Sequence, residues 1–228
     1  MVEAIIFDAD HTLYTPKTEQ AYEKTFSYLA GELGLQQDRL REIFEQEVNK
    51  ATDSDDPTDR HRHTVMKQTL LNTELPVEDR NRMAQQAVDR FWDQVIADIE
   101  YNRELPMMLE RIHDRGIELL GIASDEFRDP LERKLNTVLG DWEQYFSVLI
   151  TPENTDTMKP SPSFFEQLLH KEQYPPEAVM MVGDSWERDL APAAEIGMTT
   201  VLVADQKHGN PDYFINDIMN LEAIIERL

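Results

Sequence analysis

The chain has 228 residues, with 22 Lys and Arg against 45 Asp and Glu, six His and no Cys, which gives a formal charge of −23. A chain this long buries roughly 70% of its unfolded surface without covalent staples, and the missing thiols exclude a disulfide framework, a thiolate zinc site, an iron–sulfur cluster and a Cys nucleophile. So acidic a surface repels phosphate backbones and anionic lipid head groups, so neither nucleic acid nor membrane is an expected partner.

No apolar run approaches the roughly 20 residues that a spanning helix needs. Met1-Val2-Glu3 leads into a strand pattern with no basic flank or cleavage site, and the expected setting is the reducing cytoplasm. Ala4-Ile5-Ile6-Phe7 is apolar on both faces, the pattern of a buried parallel strand. Residues 16–100 then show only helical period: Tyr22, Phe26, Leu29 and Leu33 step by four, three and four, as do Ala84, Val88, Phe91 and Val95. Within this stretch Asp53-Ser54-Asp55-Asp56-Pro57-Thr58-Asp59 fails as a calcium loop, because Thr58 and Thr64 stand where Gly and Glu are required. It reads as a solvated loop, and the adjoining Arg60, His61, Arg62, His63 and Lys67 as a basic cluster with two readings, charges that meet an anionic part of the substrate or charges that offset the acidic stretch, of which the second is the expectation.

From residue 105 onward helices and strands alternate. Gly116 closes a helix over 105–115, and apolar strands are expected over 117–123, 146–150, 178–182 and 199–204. Asp129-Pro130-Leu131-Glu132 reads as an N-cap, a first-turn Pro and an N3 Glu, with Gly140 ending that helix. Ser161-Pro162 opens the next in the same way; Asp189 to Ile196 forms another before Gly197, and the apolar positions from Ile218 to Leu228 form the last. The alternation predicts an α/β protein with a doubly wound parallel sheet built from residues 1–15 and 101–228, interrupted by a helical insert over 16–100. An insert directly after the first strand is placed to act as a lid, since ligands of such sheets bind outside the carboxyl ends of the strands.

Polar residues gather at those ends. The first strand runs into Asp8, Asp10 and Thr12, the second ends at Ser124, Lys159 precedes a helix after the third, and Gly183-Asp184-Ser185 follows the fourth, with Asp189 five residues after Asp184. Asp8 and Asp10 can offer a side chain and a backbone carbonyl to one cation, and Asp184 a third hard oxygen, a set suited to Mg²⁺. Crowded carboxylates need that cation and the positive charge of Lys159. In such a cluster a carboxylate can attack phosphorus, a second carboxylic acid can protonate the leaving oxygen, and Lys, a Ser hydroxyl and Mg²⁺ can hold the remaining oxygens.

These four groups, in this order and at these separations, resemble the motifs of the phosphatase branch of the haloacid dehalogenase superfamily along nearly the whole chain. The resemblance implies a Rossmann-like core with a helical cap of the first type and Mg²⁺-dependent hydrolysis of a small phosphorylated metabolite. It further implies Asp8 as nucleophile and metal ligand, Asp10 as general acid and then base and as a metal-site member, and Ser124 and Lys159 as phosphate binders. Asp184 would be a metal ligand, and Asp189 an outer support or water-mediated ligand, although Asp189 also suits a helix N-cap. Asp125 stands where Asn or Gly is more usual and would put an extra charge near the bound substrate. For His11, the backbone N–H is expected to matter more than the ring. A dehalogenase has no leaving alkoxide to protonate and so no need of Asp10; a phosphomutase shares the same residues; a phospho-accepting receiver module carries no lid.

Acidic residues occur in core and insert alike, and Arg outnumbers Lys by 14 to 8, a pattern that resembles salt-adapted proteins. Self-repulsion at this charge is relieved as the Debye length shrinks from about 10 Å at 0.1 M salt to about 3 Å at 1 M. The melting temperature is expected to rise with KCl and to keep rising beyond about 1 M, where screening is nearly complete; a flat curve would identify an ordinary acidic surface.

Overall fold

Runs apolar on both faces must be covered on both faces, and β1 (Ala4–Phe7), β2 (Leu119–Ala123), β3 (Val148–Ile150) and β4 (Val179–Gly183) are buried along their whole length. The structure is a computed structural model that describes residues 2–52, 57–73, 77–155 and 157–227. Two further strands, β5 (Thr199–Val203) and the unanticipated three-residue β6 (Tyr213–Ile215), complete a six-stranded sheet of order β3-β2-β1-β4-β5-β6 with every pair parallel. The helices, in chain order, are α1 (Thr18–Leu33), α2 (Gln37–Thr52), α3 (Arg62–Leu71), α4 (Val77–Ala97), α5 (Leu105–Asp114), α6 (Arg128–Leu139), α7 (Pro162–Glu172), α8 (Ala191–Glu195) and α9 (Leu221–Ile225). Among the described residues no helix is long and apolar enough to cross a membrane.

The register sets the level of everything at the sheet's carboxyl edge. Phe7 lies opposite Ile122 on one side and Val182 on the other, so the residues that follow β1, β2 and β4 emerge side by side. The winding direction reverses at β1 and β4, where open parallel sheets form their binding crevice. Below that edge Phe164, Phe165 and Leu168 of α7 pack with Ile6, Met181 and Leu202 of the strands.

Several helix ends differ from the sequence reading. Phe127, not Asp129, stands at the start of α6; the Arg128 N–H is taken by Glu153 Oε1 at 2.9 Å, and Pro130 falls within the first turn, where its missing N–H has no partner to lose. Ser161 does precede α7, but its hydroxyl meets Ser163 Oγ at 2.7 Å rather than a backbone N–H. The expected helix from Asp189 divides into a π-helical turn, Trp186–Leu190, and the short α8. Its N-cap is Ser185, whose hydroxyl accepts from the Arg188 N–H at 3.3 Å, so Asp189 does not cap. The C-terminal stripe becomes a 3₁₀ turn, Ile218–Asn220, followed by the five residues of α9.

The chain divides into two compact units, residues 1–15 with 100–228, and residues 16–99. Thr15 and Glu100, both in the sheet unit, exchange backbone hydrogen bonds of 2.7 and 3.0 Å where the insert leaves and returns. In the helical unit Phe26 and Leu29 of α1 and Ala84, Val88, Phe91 and Val95 of α4 are buried in one core. Arg62 stacks over Phe91 at 4.3 Å and Trp92 at 4.9 Å, and Arg60 donates to the Ala51 and Thr52 carbonyls that end α2. These residues therefore brace the unit's aromatic core and a helix terminus, a use that charge balance alone did not suggest. Residues 53–56 of the acidic stretch lie outside the described residues.

Glu222 ties α9 to α5. It accepts from Arg111 Nη2 at 2.6 Å and Arg115 Nη1 at 2.9 Å with its side chain 17% exposed, and the two guanidinium groups hold its carboxyl below the usual Glu range. A depressed carboxyl contributes stability above its unfolded value, lost as pH falls through the folded one. Glu222→Gln is expected to cost about 1 kcal/mol at pH 7, a loss that shrinks as pH falls below the usual Glu range and the carboxyl takes up its proton, by denaturant midpoints along an acid series.

Candidate active site

β1 ends with the Asp8 N–H still bonded to the Val182 carbonyl at 2.8 Å, and the backbone then reverses through a turn closed by Leu13 N–H to Ala9 O at 2.9 Å. His11 takes a left-handed conformation, φ 65°, and gives its N–H to Tyr14 O at 2.6 Å. That N–H closes the turn that follows the strand. The same turn brings Thr12 back so that its hydroxyl donates to Asp8 Oδ2 at 3.2 Å.

Lys159 is the centre of the cluster. Its buried Nζ donates to Asp8 Oδ1 at 2.6 Å and Asp189 Oδ1 at 2.7 Å, and Asp189 Oδ2 accepts from the Ser185 N–H at 3.2 Å. Carboxylate oxygens of Asp8, Asp184 and Asp189 lie within 4.8 Å of one another. Gly183 makes this approach possible, because a Cβ there would stand 2.7 Å from both Cβ and Oδ2 of Asp189. Loss of hydration pushes Asp8 up to about 7, with Asp189 and Asp184 adding to the rise and Lys159 opposing it. Asp184 is raised by its own partial burial and by Asp189. Burial works to lower Lys159, but attraction to Asp8, Asp189 and Asp125 overcomes it and holds the ammonium above its ordinary value.

The carboxylate of Asp10 lies outside that trio. Both its oxygens accept from Lys134 Nζ, at 2.5 and 2.8 Å, which leaves to its backbone carbonyl any share in a cation site. Ser124 is buried at the end of β2, with its N–H on Ile150 O at 2.9 Å and its hydroxyl oxygen accepting from Glu126 N–H at 3.1 Å, so the hydroxyl proton remains to be donated. Asp125 has its carboxylate committed to the protein: Oδ1 accepts from the Lys159 N–H at 3.1 Å and Oδ2 from the Arg188 guanidinium. It braces the Lys159 loop, a use its expected contact with substrate did not include. Lys134 escaped the sequence reading, although it sits in the apolar stripe Leu131, Lys134, Leu135, Val138 of α6, where a charged residue needs a buried partner.

Hard oxygens converging on a small volume, with three carboxylates set against one ammonium, leave a formal charge of −2 and suit a divalent oxygen-seeking cation.

The family model described as haloacid dehalogenase-like hydrolase matches residues 2–197. A glyceraldehyde 3-phosphate phosphatase of Methanopyrus kandleri is 24% identical over 242 residues, covering 100% of this chain and 99% of that protein. A ribulose-1,5-bisphosphate 5-phosphatase of Halopiger xanaduensis is 27% identical, covering 89% of this chain and 84% of that protein. The crystal structure of a 2-haloacid dehalogenase from Pseudomonas syringae superposes with a TM-score of 0.76 at 22% identity, over 100% of this chain and 99% of that one, a likeness of fold.

Crowding at Gly183 and openness at Gly31 predict opposite effects of the same change. Gly183→Ala forces apart a pinned Asp189 and is expected to destabilise by about 1–3 kcal/mol. Gly31→Ala, within α1 and with nothing within 4 Å of the added Cβ, is expected to stabilise by about 0.5–1 kcal/mol. Thermal midpoints of the two variants, read side by side, test both signs.

Proposed function

The chain belongs to the haloacid dehalogenase-like hydrolases, and from that premise we propose that it hydrolyses a small phosphate monoester through an aspartyl-phosphate formed on Asp8. The observation that carries this reading is the pair of separately held carboxylates two residues apart: Asp8 gripped by Lys159 and Thr12, and Asp10 held by Lys134. Two environments for two acids allow two roles, and the second acid has no task in dehalogenation. The full-length phosphatase relatives support a small phosphorylated substrate.

In the first half-reaction an Asp8 oxygen bonds to phosphorus, the bond from phosphorus to the ester oxygen breaks, and Asp10 gives its proton to the departing alkoxide. In the second, water attacks phosphorus while Asp10 takes its proton, and the bond to Asp8 breaks to release inorganic phosphate. Lys159 and the Ser124 hydroxyl bind the phosphoryl oxygens, and Asp189 fixes the Lys159 ammonium from behind. Mg²⁺, held by Asp8, Asp184 and the Asp10 carbonyl, would supply charge neutralisation for phosphoryl transfer. The helical unit inserted after β1 carries the substrate preference in this reading, and the expected location is the cytoplasm.

Release of inorganic phosphate from a panel of small phosphate esters tests the proposal. Wild-type protein with Mg²⁺ is expected to turn over at least one of them and to fall silent in excess chelator. Asp8→Asn should retain the fold and less than about one thousandth of the rate. Full activity in chelator, or substantial activity in Asp8→Asn, overturns the mechanism.

A further inference from the structure

We propose that Lys134 is a positioning residue that holds the Asp10 carboxyl group in its working orientation, as the acid that protonates the leaving group and as the base that follows. The inference rests on the phosphoryl-transfer reading above and assigns a task to a lysine outside the four motif groups.

Lys134 lies on α6, 124 residues from Asp10 in sequence, and its side chain is 1% exposed. Taking an ammonium that far out of water is costly unless charged acceptors meet it. Asp10 meets it with both oxygens, at 2.5 and 2.8 Å, and Glu126 Oε2 stands 3.8 Å away. The ring of Tyr14 lies beneath the ammonium at 5.6 Å, so an aromatic face closes another side of the cation's pocket.

The two partners differ sharply in exposure. Asp10 remains 32% exposed while Lys134 is enclosed, so the ammonium grips the carboxylate from the protein side and leaves the other side open. A carboxylate has about four lone-pair positions, and a single ammonium nitrogen between its oxygens leaves the outward ones available. A short Asp side chain on a turn otherwise rotates about two bonds, and misplacement by about 1 Å is enough to cost on the order of 10²-fold in a proton-transfer step. Tyr14 is the other side chain set against Asp10, and Lys134 is the one that meets both of its oxygens and so fixes its orientation.

The leaving group makes this testable, because an alkyl phosphate needs a proton on its departing oxygen and an activated aryl phosphate does not. Lys134→Met, which keeps the volume and removes the charge, is expected to lower kcat for an alkyl phosphate by roughly 10- to 100-fold, and for p-nitrophenyl phosphate by less than about threefold, with KM little changed for both. In an Asp10→Asn background the same substitution should cost no further rate on the alkyl substrate, since its effect passes through Asp10. That double variant removes both charges and guards against a single variant that fails to fold. Equal losses on both substrates, or a multiplicative loss in the double variant, overturn the proposal. A ¹⁵N spectrum of the lysine ammonium groups gives a readout independent of turnover: Lys134 is expected to show a slowly exchanging signal that is lost in Asp10→Asn. If the wild type hydrolyses no phosphate ester, the phosphatase reading fails; an Asp10-independent Lys134 signal overturns the positioning role by itself.

Discussion

A single buried ammonium, that of Lys159, decides whether the carboxyl edge of this sheet can exist. The strands converge there because their register is fixed by apolar side chains, and the register brings Asp8 and Asp184 out level from adjacent strands β1 and β4. Asp189 is added from the turn that follows. Without a counter-charge three carboxylates within 4.8 Å would drive one another to protonation. Lys159 bonds to two of them, yet Asp8 is still pushed up to about 7, chiefly by its loss of hydration and further by the neighbouring Asp189 and Asp184. Negative charge packed this closely costs stability that must come from elsewhere in the fold.

That support is visible in how little of the site relies on loops free to move. Thr12 reaches back to Asp8 through a turn with two short backbone bonds, Ser185 caps the π-helical turn that carries Asp189, and Asp125 joins the Lys159 backbone to Arg188. The Ser185 and Asp125 links each satisfy a backbone N–H that a sharp turn would otherwise leave unpaired. Gly183 contributes by what it lacks, since any Cβ would occupy the volume of Asp189.

The features legible in the sequence are those whose physics is local. Four of the strands are continuous apolar runs, and a parallel sheet buried on both faces demands such runs, so their positions and the α/β class could be read directly. Strand β6 has only three residues, one of them exposed, and offers no such signal. The Asp129-Pro130 pair looks like a cap because caps are recognised by type; the true start of α6 depends on Glu153, twenty-five residues away. The motif residues were legible as chemical types at strand ends, while their partners were not. Asp125 reaches Lys159 and Arg188 across 34 and 63 residues, and Asp10 reaches Lys134 across 124. Pairings at that separation are set by the closed fold, and the one local hint of them was a lysine in an apolar stripe.

The division of labour between the basic residues follows from the same geometry. Arg dominates the surface, where Arg41 meets Glu19, Glu23 and Glu45, and Arg111 and Arg115 share Glu222. A planar fork of donors suits several exposed carboxylates at once. At the buried sheet edge the cations are both Lys, although the chain has only eight. An ammonium is a compact point charge that fits between Asp8 and Asp189, or between the two oxygens of Asp10, where a guanidinium would demand more volume than a fully packed site allows. Lys24 and Lys50 pair with single carboxylates at the surface, whereas Lys134 and Lys159 stand where carboxylate oxygens must be held close together, a place that only the smaller cation fits.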